Sequence, residues 1–119
     1  MPKIEEFRFG TIVVGGKTYT RDILILPDGT VKHREDVFLN FVNHIVKRGE
    51  ITELLKAHPE VIIIGTGTDA KVKLSFNVER LVTELKADLI ALPSPQAIER
   101  YNQAVDKGKQ VAALIHITD

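Results

Sequence analysis

The run Pro59-Glu60-Val61-Ile62-Ile63-Ile64-Gly65-Thr66-Gly67-Thr68-Asp69-Ala70-Lys71 decides how the rest of the chain is read. Val61 to Ile64 are consecutive β-branched residues with no polar residue between them, the pattern of a strand buried on both faces. Gly65-Thr66-Gly67-Thr68 ends that strand abruptly, because side-chain bulk gives way to backbone freedom and hydroxyls. A doubly buried strand needs cover on both sides, so the flanking segments are read as its neighbours and its cover.

Downstream, Asn77 suits a helix N-cap, with Phe76 and Leu81 at the positions of a hydrophobic staple. Val78, Leu81, Val82 and Leu85 then repeat at helical spacing, which predicts an amphipathic helix. Leu89-Ile90-Ala91-Leu92 predicts a short buried strand. In Pro93-Ser94-Pro95, Ser94 reads as the N-cap and Pro95 as the first helical residue, where a missing amide costs nothing. Ala97, Ile98, Tyr101, Ala104 and Val105 give that helix one apolar face as far as Gly108, a natural residue to follow a helix end. Val111 to Ile117 predicts the closing strand. Strands alternating with helices imply right-handed crossovers and a largely parallel sheet.

Upstream, Phe7-Arg8-Phe9 with Thr11 to Val14 reads as a strand ending at Gly15-Gly16, a pair that supplies the positive φ angles of a hairpin turn. Lys17 to Thr20 returns from it. Ile23 to Leu26 is a second doubly buried strand, closed by the turn residues Pro27-Asp28-Gly29, and Thr30 to Arg34 predicts another strand, completing a β-meander. Asp36 to Lys47 reads as a short helix or irregular segment: Val37, Phe38, Phe41, Val42 and Ile45 make a helical stripe from β-branched and aromatic residues. Gly49 separates it from Ile51 to Ala57, a predicted helix stopped by Pro59. The expectation is a mixed α/β single domain over residues 1–119 in three layers. A central mixed, partly parallel sheet has helices on one side and an antiparallel β-meander layer on the other.

Composition narrows the function. With 119 residues the chain is long enough to hold a core without staples. It has 16 basic and 16 acidic residues in no single-sign block, so no nucleic-acid partner is expected. The absence of cysteine excludes disulfides, thiol catalysis and thiolate metal sites. The apolar runs are too short to span a membrane and Met1 to Glu6 is polar, so a soluble, cytoplasmic protein is expected.

Gly65-Thr66-Gly67 follows a strand as a phosphate-cradling loop would. A dinucleotide fingerprint needs a third glycine and an immediate helix, however, and a Walker loop needs Gly-Lys-Ser/Thr. Neither is present, and the simpler reading is a sharp exit from a buried strand. Parallel pairing of Val61–Ile64 with Leu89–Leu92 would still bring Thr66, Gly67 and Thr68 beside Ser94 at a helix amino end, where free amides attract small anions. His33, His44, His58 and His116 lack ligand spacing. His58 suits a helix carboxyl end, His33 and His116 are expected on strands at a surface, and His44 as a core or edge histidine. Nucleophilic catalysis would fall on Ser94, yet no base is placed to activate it, and Asp22, Asp69 and Glu99 are scattered. Tyr101 falls on the buried stripe of its helix, its hydroxyl expected at the sheet edge. No catalytic residue, metal ligand or cofactor is expected.

Taken together, Phe7-x-Phe9-Gly10, Gly16-x-x-Tyr19, Asp22-Ile23-Leu24-Ile25 with Pro27, the Pro59–Gly67 run, Ser94-x-x-Ala97-x-x-x-Tyr101-Asn102 and Val111-Ala112-Ala113 resemble a widespread family. It comprises small single-domain proteins of unknown function, and includes a mitochondrial respiratory complex I assembly factor and a vertebrate adipogenesis-associated protein. The resemblance implies the three-layer fold and no established activity. Its polar signature falls on Arg34, His44, Gly65, Thr66, Gly67, Ser94, Tyr101 and Asn102. With Thr68, these form the candidate ligand-binding set. The chain departs from the family in having Ser94 for a usual threonine, and Asn43 where a glycine often precedes the position of His44. The function expected is a non-enzymatic protein-interaction or assembly-type module with protein partners, self-association being open to a sheet edge or the Phe38–Ile45 face. The alternative is an anion-binding protein or enzyme using the Gly65–Thr68 loop and the Ser94 helix end.

Overall fold

Strand β7 (Val61–Gly65) is buried at every position, and so is β10 (Val111–Ile115), which runs parallel beside it with Val111 opposite Val61 and Ile115 opposite Gly65. The structure, a computed structural model, describes residues 1–34, 45–46, 48–74 and 78–119. Its main sheet has five strands in the order β5-β4-β10-β7-β9, with β4 (Ile23–Ile25), β5 (Val31–His33) and β9 (Asp88–Leu92). The middle strand is therefore β10, with β7 next to it. Strands β7 and β9 run parallel to β10, while β4 pairs antiparallel on its other side, Ile23 opposite Ile115. This mixed sheet follows from connectivity: the helical crossovers give the parallel strands, and the tight Pro27–Gly29 turn gives the antiparallel hairpin.

Alternate residues of the two central strands feed two separate cores. Ile62, Ile64, Ala112 and Leu114 pack with α1 (Arg48–Leu55) and α2 (Val78–Glu84). Beside α1 and α2, Ile45–Val46 (β6) and Lys73–Leu74 (β8) form a short parallel pair whose Val46 joins the same core. Val61, Ile63, Ala113 and Ile115 pack on the opposite face with α3 (Ser94–Asp106) and a three-stranded antiparallel sheet, β1 (Ile4–Arg8), β2 (Thr11–Val14) and β3 (Lys17–Tyr19). The three layers are thus present, and α3 shares the layer of the small sheet. Burying an isoleucine such as Ile62, Ile63 or Ile64, each fully inaccessible, contributes about 1.5–3 kcal/mol.

The N-terminal strands differ from expectation in two ways. Phe9-Gly10 is a turn, with Gly10 at φ +83° and Phe9 65 % exposed, so the run read as one strand is the hairpin β1–β2. The expected meander also divides between sheets, because β4–β5 joins the main sheet while β1–β3 stands apart. The Gly15-Gly16 turn has both φ angles positive, +57° and +81°, as the β2–β3 hairpin requires.

Helix α1 begins at Arg48, with Gly49 inside its first turn rather than before it. The segment 35–44 and residue 47, which hold most of the stripe read from Asp36 to Lys47, lie outside the described residues, as do Phe76 and Asn77. Helix α3 ends as its sequence predicts. The Lys109 amide bonds the Ala104 carbonyl at 3.0 Å and the Gly108 amide the Val105 carbonyl at 2.9 Å, with Gly108 at φ +73°, the Schellman arrangement. Its start is different. Pro93, at φ −50° and ψ 145°, is the N-cap, and its carbonyl accepts the first helical bond from Ala97 at 2.9 Å. Ser94 is already helical, so its hydroxyl does not cap the helix.

Candidate functional site

Parallel pairing of β7 and β9 places Gly65 opposite Leu92, and the chain continues from both into one cluster. The Thr66 amide donates to the Leu92 carbonyl at 2.8 Å, and the Ser94 amide to the Gly67 carbonyl at 3.0 Å. Ser94, fully buried, accepts from the Gly67 amide at 2.9 Å and donates its hydroxyl proton to the His116 carbonyl at 2.6 Å. One side chain therefore ties the ends of β7, β9 and β10 together. That is why it is released from capping: three strand ends need a donor and an acceptor that their own ladders no longer supply.

The loop is closed from outside by the residues after β10. The Thr68 amide bonds the Thr118 carbonyl at 2.8 Å, and the amides of Asp69 and Lys71 both bond the Asp119 main-chain oxygen at 3.1 Å. Gly65 and Gly67 make this closeness feasible. A Cβ on Gly65 would meet the Ser94 Oγ at 2.8 Å, and one on Gly67, at φ +101°, would meet the Asp119 main-chain carbon at 2.4 Å. Thr66 is buried and Thr68 exposed.

Arg34 belongs to a different, adjoining cluster. Its guanidinium, 5 % exposed, donates to Asp22 at 3.1 Å, to both carboxylate oxygens of Glu50 and to the Ile45 carbonyl at 2.6 Å. Asp22 also accepts from the Ile117 amide at 2.9 Å and contacts His116 Nδ1 at 2.7 Å. Because that carboxylate oxygen already accepts from Arg34, Nδ1 carries the proton, and Nε2 can accept from the Thr118 hydroxyl at 3.0 Å. His116 is buried, not at a surface as expected on sequence. The two clusters meet at His116: its carbonyl bonds Ser94 and its ring bonds Asp22.

Burial pushes the Asp22 carboxyl up, but the His116 hydrogen bond and charge, the Ile117 amide and Arg34 outweigh it and hold the group below its usual value of 3.8. Burial likewise acts to lower Arg34, yet Glu50 and Asp22 raise it overall and keep it charged. Since the folded-state value of Asp22 is depressed, its contribution to stability is complete above the unfolded carboxylate value, and is lost as pH falls through the lower folded one. Thermal unfolding followed from about pH 5 to about pH 2 is expected to show a steeper loss for wild type than for Asp22→Asn.

Carboxylate, imidazole and hydroxyl in series are the parts of a nucleophilic relay. Here the imidazole is 3 % exposed, and an added Gly67 Cβ would lie 2.8 Å from its Cδ2 and 2.7 Å from the Asp119 main-chain oxygen. The imidazole is packed under its own chain, where it fixes strand ends, and the Thr118 hydroxyl at the end of the series is half-buried.

Tyr101 and Asn102 lie away from both clusters and hold β1. The Tyr101 hydroxyl donates to the Pro2 carbonyl at 2.6 Å, and burial pushes its pKa well up. The Asn102 amide donates to the Ile4 carbonyl at 2.8 Å and accepts from the Ile4 amide at 2.9 Å, closing the edge of β1. Asn102→Ala leaves both main-chain groups unpaired and is expected to cost about 1–3 kcal/mol, with Tyr101→Phe nearer 1 kcal/mol; urea unfolding measures both. His44 lies outside the described residues. Sequence reasoning missed Asp22 and Glu50 as partners of Arg34, and His116 as a partner of Asp22. The signal available was position: Asp22 and His116 each adjoin the end of an apolar run, and pairing those runs antiparallel sets the two side by side. No group of residues able to hold a metal ion is present among the described residues.

The chain belongs to the family of proteins of unknown function designated DUF498/DUF598, whose profile matches residues 4–116. Among solved structures it is similar to MT938, at 31 % identity, covering 100 % of both chains with a TM-score of 0.82. It is also similar to the conserved hypothetical protein PH1505 of Pyrococcus horikoshii OT3, at 27 % identity over 98 % of this chain and 99 % of that one, with a TM-score of 0.83. A Mth938-like domain protein of Bordetella pertussis shares the fold at 17 % identity over 98 % of this chain and 85 % of that one, with a TM-score of 0.62.

Proposed function

We propose that this chain is a non-enzymatic protein-interaction or assembly-type module acting in the cytoplasm. The observation that carries the reading is the use already made of the polar groups around Ser94. The amides of Gly67, Thr68, Asp69 and Lys71, which an anion would need, bond Ser94 and the main chain of residues 118 and 119. A small ligand there would have to displace those bonds and unpair the fully buried Ser94 hydroxyl, which is unfavourable. The resemblance to an assembly factor points the same way. No helix among the described residues is long and apolar enough to cross a membrane.

Thermal-shift screening against phosphorylated and carboxylated metabolites tests this, run on wild type beside Thr66→Ala and Ser94→Ala. The expected result is no stabilisation of any form. A compound that raises the melting temperature of wild type and of neither variant would favour the anion-binding alternative and sink the module reading.

A further inference from the structure

Strand β9 is hydrogen-bonded on one side only among the described residues, to β7. The Asp88 amide bonds the Glu60 carbonyl at 3.0 Å, and the Leu92 carbonyl accepts from Thr66 at 2.8 Å. In a parallel pair each residue turns both main-chain groups to one side, so Asp88, Ile90 and Leu92 face β7, and Leu89 and Ala91 present their amides and carbonyls outward. Two other edges are protected. On β5, Lys32 is paired with Glu53, and on β1, Asn102 occupies the main chain of Ile4. The five residues of β9 contain no lysine, proline or bulge, the devices that ordinarily blunt an open edge.

Grooves lie on both faces of this edge. The one beside α2 has a volume of about 670 Å³ and is walled by Leu74, Ala87, Leu89 and Ala91, with Lys86 against the two acids Glu79 and Asp88, so that it disfavours a further acid. The one beside α3, about 170 Å³, is lined by Ile90 and by Arg100, Lys107 and Lys109 against the single acid Asp88. An added strand sends alternate side chains to opposite faces, so its residues would meet these two environments in turn. A second copy fits poorly. Antiparallel self-pairing about Ile90 would bring the Arg100 and Lys107 side of one chain against the same side of the other, and like charges disfavour that.

We propose that the outer edge of β9 takes up an extended segment of a partner protein as an added strand, its side chains alternating between apolar residues beside α2 and acidic residues beside α3. Main-chain bonds to Leu89 and Ala91 supply the attachment, and the two grooves supply the selection. The inference rests on the interaction-module reading and names its surface and partner chemistry.

The test uses the full chain and short capped peptides of alternating valine and glutamate, with alternating valine and lysine as comparator. The valine–glutamate peptide is expected to bind at least tenfold more tightly and to protect the Leu89 and Ala91 amides from hydrogen exchange. N-methylation of every second peptide residue removes binding. Ala91→Pro, which deletes only an outward amide, weakens it at least tenfold, and Arg100→Glu with Lys107→Glu reverses the preference between peptides. Equal affinity for the two peptides, protection at another element, or no binding at millimolar peptide would overturn strand addition here. So would a concentration-dependent dimer that Ala91→Pro dissolves, since the occupant is then a second copy. Any of these leaves the module reading to be decided by the metabolite screen, which does not involve β9.

Discussion

Asp22→Ala is expected to destabilise the protein by about 3–5 kcal/mol, the range for removing one partner of a buried charge pair. For a domain of this size that is a fall in melting temperature of roughly 10–20 °C. The size comes from what is left behind. Arg34, 5 % exposed, keeps its charge and loses one of its carboxylates, the Ile117 amide loses its acceptor, and His116 Nδ1 faces a cavity. Asp22→Asn keeps the shape and one acceptor but sets its amide either against the Ile117 amide or against both Arg34 and His116, which share one carboxylate oxygen, so its cost falls between that of Ala and wild type. Arg34→Met removes the charge that most needs Asp22. In the double variant with Asp22→Ala the losses should be less than additive, with a coupling of about 0.5–3 kcal/mol. Additive losses by urea unfolding would mean that the pair is an incidental contact.

The parts of this fold legible in sequence are those specified by short-range pattern. The β-branched run at Val61–Ile64, the stripe from Ala97 to Val105 and the Gly108 stop carry their own periodicity and punctuation, and each forms the expected element. The meeting of Gly67 with Ser94 is also legible, because two parallel strands fix where their carboxyl ends lie. Sheet membership is not. The unbroken apolar run says that Ile23–Ile25 is a strand, but whether it continues the N-terminal sheet or pairs with β10 depends on residues about ninety positions away. The Asp22–His116 contact spans 94 positions and is set by that pairing alone, so local pattern puts His116 at a surface. Ser94 shows the same limit at one side chain. Its neighbours Pro93 and Pro95 describe a helix start well, and a hydroxyl at a helix start reads as a cap. Only the arrival of Gly67 and His116 from other strands gives that hydroxyl better partners than its own helix.

Gly67→Ala is the second large expected effect, and it tests whether the loop and the residues after β10 form one unit. Two costs combine. At φ +101° an L-residue is strained by about 1–3 kcal/mol. The new methyl would also sit 2.4 Å from the Asp119 main-chain carbon and 2.8 Å from the His116 ring, and forced overpacking costs about 1–3 kcal/mol more. Backbone cannot rotate away as a side-chain tip can, so relief requires residues 118–119 to lift off, which breaks their bonds from the Thr68, Asp69 and Lys71 amides. The expected loss is therefore about 2–6 kcal/mol by these terms, with faster hydrogen exchange at Thr68, Asp69 and Lys71. Gly65→Ala offers the contrast, since its Cβ meets side-chain atoms of Ser94 and Ile115 instead of backbone. It should cost about 1–3 kcal/mol and leave those three amides protected. If both variants release the amides equally, the loop is held by the Ser94 bond alone, and the main chain of residues 118–119 only rests upon it.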